Sequence, residues 1–224
     1  MTRNTLAIAS AAAVAAMLLV SLFVGGELPA DHRLPSHWGL NGEPDQYAPK
    51  WVALLLPAGI TAAVSLLFYF LPAMEPRREG LERSEGLYLW GWAAILLMGA
   101  AIELAMVSTA LDWGLRVNSL IVAATGGMLV LIGNQLGKSR SMYLIGIRTP
   151  WTLASEEVWM RTHRLGGKLM VGGGLAMIVA ALLPIPSALL SSIVLAVIAI
   201  SAGVPIVYSF LLWRREKKEG QASG

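Results

Sequence analysis

Charge disappears from this chain in long blocks. Residues 6–24 (19 residues), 51–74 (24), 117–137 (21) and 169–213 (45) contain no Asp, Glu, Lys or Arg. The longest block is interrupted by "LLPIPS" at 182–187, whose two prolines mark a turn, so it reads as two segments. Residues 86–111 hold one charge, Glu103. A hydrocarbon core of ~30 Å is crossed by about 20 apolar residues in helical conformation. The pattern therefore predicts an all-α polytopic membrane protein of six transmembrane helices. The first block resembles a cleaved signal peptide only superficially. It is longer than an ordinary signal core, and "GGELPA" is a poor cleavage site, so a retained span is expected.

Composition agrees with this class: 56% of residues are hydrophobic and 14% charged. Charge adds an orientation. When the connections are assigned alternately to the two sides, 14 of the 17 Lys and Arg residues fall on one of them. The other side receives Arg33, Lys50 and Arg116. Cationic residues accumulate in cytoplasmic loops, which predicts both termini inside. The net charge of +3 follows from this asymmetry, so it gives no reason to expect direct nucleic-acid binding; the lipid bilayer is the expected partner. There is no cysteine, hence no disulfide or thiolate chemistry.

Three connections are long enough to carry chemistry. Residues 25–50 contain four prolines and an Asn41-Gly42 turn signal, and are expected to be non-helical but ordered on the outer side. Pro35, His37, Trp38, Gly42 and Asp45 make this loop a candidate outer site. Residues 75–86, "EPRREGLERSEG", read as a solvated cytoplasmic linker or helix start. The implied organisation is a two-helix unit (1–74), that linker (75–86), a four-helix domain (87–213) and a basic tail (214–224). Small residues spaced by four, Ala7, Ala11 and Ala15 in the first span and Gly172, Ala176 and Ala180 in the fifth, suggest faces for close helix packing.

The third connection, residues 138–168, is the most unusual: "IGIRTPWTLASEEVWMRTHRLGG" stands between two apolar blocks. Pro150 holds Thr149 away from helix. Ser155 can cap a new helix whose first turn carries Glu156 and Glu157. That helix would place Val158, Trp159, Thr162 and Leu165 on one face and Arg161, Arg164 and Lys168 on another. A short amphipathic helix along the inner headgroup layer is predicted between the fourth and fifth spans, with Trp151 and Trp159 at interface depth. Arg148, Thr149, Pro150, Trp151, Thr152, Trp159, Thr162, His163 and Arg164 form the candidate site for a partner or a change of conformation. A neutral, hydrogen-bonded imidazole is expected at His163, with a pH-sensitive platform as the other reading.

Elsewhere the chemistry is sparse. His32 and His37 with Asp31, Glu43 and Asp45 lack metal-binding spacing, and a hydrogen-bonded loop is expected instead of a metal site. No catalytic triad or phosphate loop can be placed, so neither an enzyme nor a cofactor is expected. Glu103 is the exception within the spans. Intramembrane carboxylates face the bundle interior, and Thr125 on the returning helix lies at similar depth as a partner. A hydrogen-bonded neutral carboxyl is one reading of Glu103, and a proton-coupled transport pathway is the other.

"GNQLGKSRSMYLIGIRTPWTLASEEVWMRTHRLGGKL", residues 133–169, resembles the signature of the SdpI family of bacterial membrane proteins. "LPSHWGLNGEPDQYAPK", residues 34–50, and the span after it resemble the small domain of unknown function that often precedes it. Ser141-Met142 stand where the family usually has an Asn before the aromatic. The resemblance implies a multi-pass cell-membrane protein conferring immunity to a secreted toxic peptide. It also implies a receptor role, in which a small cytoplasmic transcriptional repressor is held at the membrane.

Overall fold

The computed structural model describes residues 1–222, with side chains through residue 219; residues 223–224, the end of the expected basic tail, lie outside the described residues. Six helices are long and apolar enough to cross a bilayer: α1 (Arg3–Glu27), α2 (Lys50–Met74), α4 (Glu85–Ala110), α5 (Val117–Leu136), α7 (Glu156–Leu182) and α8 (Ser187–Ala222). Two five-residue helices, α3 (Arg78–Glu82) and α6 (Pro150–Ala154), lie in the connections. The sixfold span pattern read from the charge-free blocks is the pattern of the fold.

The connection 25–50 holds the only two strands among the described residues, β1 (Arg33–Trp38) and β2 (Pro44–Pro49), paired antiparallel. Three prolines sit in them, which a two-stranded ribbon tolerates because each strand keeps an unpaired edge. Gly42 turns the chain with φ 81°, and the Asn41 side chain accepts from the Glu43 amide at 3.1 Å. The ribbon is pinned to the bundle. Leu34 is buried against Val24, Leu54, Met106 and Val107. Lys50, counted in the sequence as a flanking charge, is buried instead. Its Nζ donates to the carbonyls of Gly25 (2.7 Å) and Leu28 (2.6 Å), satisfying backbone oxygens at the end of α1.

Helices α5 and α7 approach most closely, through reciprocal glycines. A Cβ on Gly126 would stand 2.5 Å from the Gly174 carbonyl oxygen, and one on Gly174 2.5 Å from that of Gly126. Gly133 and Gly167 form a second such pair, at 2.9 and 2.6 Å. Of the small residues singled out by spacing, Ala180 is buried and Ala7 half-buried in other contacts, and the remaining four lie on open faces. Gly172, Ala176, Ala11 and Ala15 are exposed on the isolated chain, and α1 buries Leu6, Ser10, Met17, Ser21 and Val24. Spacing by four marks a face but not the direction it points.

Two connections differ from expectation. The linker 75–86, expected as a solvated connection or a helix start, holds α3 and the first residues of α4, and Glu75, Gly80, Leu81 and Ser84 are buried in it. The segment expected to form a separate amphipathic helix from Ser155 is the start of α7, which continues without a break to Leu182. Val158, Trp159 and Thr162 do share a face, but that face is buried in protein. Trp159 belongs to a core with Leu71, Leu81, Leu87, Trp92, Leu136 and Met142.

Candidate functional site

The segment from Ser139 to Ser155 folds onto the ends of α2, α4, α7 and α8. Its start is held by residues distant in sequence. The Arg140 amide donates to Ser84 Oγ at 2.8 Å, and Trp159 Nε1 donates to Ser139 Oγ at 3.2 Å. Glu75, 2% exposed just beyond α2, is the main anchor. Its Oε1 accepts from the Tyr143 amide (2.9 Å) and its Oε2 from that of Leu144 (2.8 Å), with the Arg77 amide on Oε1 at 3.0 Å. Arg77 follows the same segment with its side chain. It donates to Ser141 Oγ, to Tyr143 Oη (3.2 Å) and to the Leu153 carbonyl (3.3 Å), and lies over the Tyr143 ring at 4.5 Å. Ser141 thus accepts from Arg77 at the place where the family resemblance led to an Asn nearby.

The centre is built on a stacked pair. The Trp159 and His163 rings lie 3.9 Å apart at 17°, both fully buried. The Ile147 amide donates to His163 Nε2 at 2.8 Å, so that nitrogen carries no proton. Nδ1 then carries it and donates to the Trp159 carbonyl, also 2.8 Å away. This is a neutral imidazole with both nitrogens used. Gly146 crosses directly above it with φ 123°; a Cβ there would meet His163 Nε2 at 2.7 Å and Trp159 at 2.8 Å. Only glycine combines that backbone angle with that approach.

"RTPWT" supplies the next turn. Thr149 caps α6, accepting from the Thr152 amide at 3.2 Å, while its own amide donates to Thr152 Oγ1 at 2.8 Å. The buried Thr152 hydroxyl reaches back to the Ile147 carbonyl at 2.9 Å. Pro150 occupies the first helical position, where no amide donor is needed. Trp151 turns to α8, donating to Ser209 Oγ and meeting Phe210 and Trp213 at ring distances of 5.2 and 6.3 Å.

Of the residues expected to form one platform, Thr149, Thr152, Trp159 and His163 come together around Gly146 and Ile147. Arg148 is exposed and donates to the Tyr143 carbonyl at 2.6 Å, bracing the loop instead of facing α7. Arg164 is exposed, its backbone lying against Gly137. Thr162 is fully buried, with no hydrogen-bond partner for its hydroxyl among the described residues. Glu75, Arg77 and Gly146 were missed. The first two sit in a charged stretch that looks like linker, and Gly146 was one glycine among 23.

At the opposite end, His37 Nδ1 and Asp45 Oδ1 are 2.6 Å apart across the ribbon, both half exposed. Pro35 is buried, and Trp38 lines clefts on either side of α4. Gly42 packs toward Ser187. Glu103 is buried in α4, but its neighbour is Ser21 of α1, whose Oγ lies 2.7 Å from Oε1 and 2.8 Å from the Leu54 carbonyl. The expected partner, Thr125, donates to the Ile121 carbonyl of its own helix at 2.8 Å. Glu103 Oε2 has no hydrogen-bond partner among the described residues.

The fold and this site define a six-span cell-membrane protein with an ordered, internally bonded loop across one end of its helices. The SdpI/YfhL protein family matches residues 138–209, which contain the whole loop, and a domain of unknown function, DUF1648, matches residues 12–61, which contain the ribbon. The chain is similar to Immunity protein SdpI of Bacillus subtilis (strain 168), with 24% identity over 153 residues, covering 68% of this chain and 70% of that protein. No solved structure matches.

Proposed function

We propose that this chain is an integral membrane immunity protein giving resistance to a secreted toxic peptide, and that its loop reports the peptide to a small repressor in the cytoplasm. The observation that carries this reading is the similarity to an immunity protein over more than two thirds of both chains. The geometry suits it. Loop 139–155 is joined to α2 through Glu75, to α7 through His163 and to α8 through Trp151, so a shift of any of these helices would reach the loop surface. With the termini inside, as the charge asymmetry predicts, the ribbon with Trp38, His37 and Asp45 faces a peptide arriving from outside, while the loop faces a cytoplasmic partner. The test is deletion of the gene and challenge with secreted, envelope-active peptides. Deleted cells should die at lower doses, and Trp38→Ala and Asp45→Ala should weaken protection at normal protein abundance. Equal survival with and without the gene, across such peptides, would reject the immunity reading.

Glu103 supports a second reading, a proton-coupled transporter. Ser21 has one hydroxyl proton and two acceptors in reach. A protonated Glu103 donating to Ser21 Oγ, which donates in turn to Leu54, uses each proton once, and leaves a carboxyl in the bundle able to exchange a proton. Glu103→Gln separates the two. An amide preserves shape and can donate to Ser21, so protection should persist if Glu103 only packs. Lost activity at unchanged abundance would favour transport.

A further inference from the structure

At the loop end, beside the ends of α2, α4 and α7, lies a cavity of about 770 Å³ lined by Arg77, Arg78, Arg83 and Arg140, with Glu79 and Glu156 as its acidic residues. Two of the four arginines are accounted for. Arg77 holds the loop as described, and Arg140 stands 3.9 Å from Glu156 and near the carbonyls of Lys138 and Ser139. Arg78 and Arg83 have no ion-pair partner among the described residues. Arg78 is the first residue of α3 and Arg83 follows its last; the helix is seated by Gly80, where a Cβ would collide with the Ser141 carbonyl. The two unpaired cations are therefore set on an ordered turn, in one cavity with the anchored Arg77 and Arg140.

We propose that this cavity binds the headgroup phosphate of an anionic phospholipid. Three features select that ligand. All four cations are arginine and none is lysine; a planar fork matches phosphate oxygens in pairs, whereas charge asymmetry alone would be served by either residue. The cavity opens at the ends of membrane-spanning helices, where phosphates of a bilayer lie, and basic pockets between spans at that level receive lipid headgroups. Met160 and Pro76 add an apolar wall for the glycerol end of the lipid. The inference is independent of the immunity reading, since it rests on this cavity alone.

The full-length protein would be purified in nanodiscs of phosphatidylcholine with or without phosphatidylglycerol, and the phosphatidylglycerol retained after release would be counted by native mass spectrometry. The double variant Arg78→Gln/Arg83→Gln should retain roughly twenty-five-fold less of it, each cation near an anionic surface contributing about a fivefold change. Arg215→Gln/Lys218→Gln removes the same charge from the tail and should retain as much as the unaltered protein. Equal loss in both variants would reduce the effect to the general field of the basic face, and no loss in either would leave the cavity without this ligand; both overturn the proposal. Inorganic phosphate added to protein in phosphatidylcholine alone should not raise its melting temperature. A rise matching that given by phosphatidylglycerol would assign the site to a soluble phosphate and overturn the lipid. Circular dichroism of the variants verifies that folding is intact.

Discussion

Glu75 shows how much one side chain can organise. It sits in "MEPRRE", where acidic and basic residues alternate, and it is nonetheless buried with three backbone amides on its two oxygens. Hydrogen bonds to a carboxylate are worth more than neutral ones, and truncating an acceptor leaves buried donors unpaired. Glu75→Gln keeps the volume but replaces one acceptor oxygen with a donor facing the Tyr143 or Leu144 amide. We expect a loss of about 2 kcal/mol in loop docking, seen as faster tryptic cleavage after Arg140 and Arg148 while the six spans stay assembled. Unchanged cleavage would show that the loop is held without Glu75. The same logic applies at His163. Phenylalanine there would keep the stack on Trp159 but orphan the Ile147 amide, and should cost about 1–3 kcal/mol. Gln, which can accept from that amide, should recover part of it. If His163→Phe melts with the unaltered protein, the amide contact is not stabilising.

Among the elements, the packing of α5 on α7 makes the sharpest prediction. Without water in the bilayer to drive association, helices are held by close contact and small residues permit it. Gly133→Val and Gly174→Val place branched side chains against carbonyl oxygens now within 3 Å of a Cβ position. Each should destabilise by about 1–3 kcal/mol or more, read as reduced membrane abundance and a lower melting temperature in detergent. Gly172→Val has nothing within 4 Å to meet and should be tolerated. Equal effects at all three positions would contradict this helix pair. The ribbon was harder to read. Its strands are short, carry three prolines and lack regular alternation, so only the Asn41-Gly42 turn stood out. Leu34 and Lys50, which fasten it to the bundle, gain their roles from contacts with α1, α2 and α4. Likewise the helix predicted from Ser155 begins with its cap at Ser155, but its amphipathicity does not say whether lipid or protein meets the apolar face.

For the whole molecule, the charge asymmetry predicts that the ribbon faces outward and the loop inward. The absence of native cysteine allows a clean measurement. Cysteines at Ser36 and Leu40, both exposed, should react with an impermeant thiol reagent in intact cells; cysteines at Glu82 and Lys138, exposed at the other end, should react only after lysis. Labelling of Lys138→Cys from outside would invert the topology and move the loop away from any cytoplasmic partner. Ser84 and Ser155 are poor reporters, because one is buried against Arg140 and the other caps α7.

Number and order of the spans were determined by the sequence alone, because crossing a hydrocarbon layer is a requirement on each segment separately: about 20 apolar residues without charge, whatever the neighbours. The chemical distinctness of residues 145–167 was visible for the same local reason. The tertiary structure decided everything that depends on pairing. Ser21, 82 residues away, and not Thr125 meets Glu103. Glu75 reaches a loop 68 residues on, and Trp159 sits in a protein core. A buried polar group must find a partner somewhere, but its own sequence neighbourhood does not name it. The partner is fixed only when the helices choose the faces they bury, and that choice is a property of all six together.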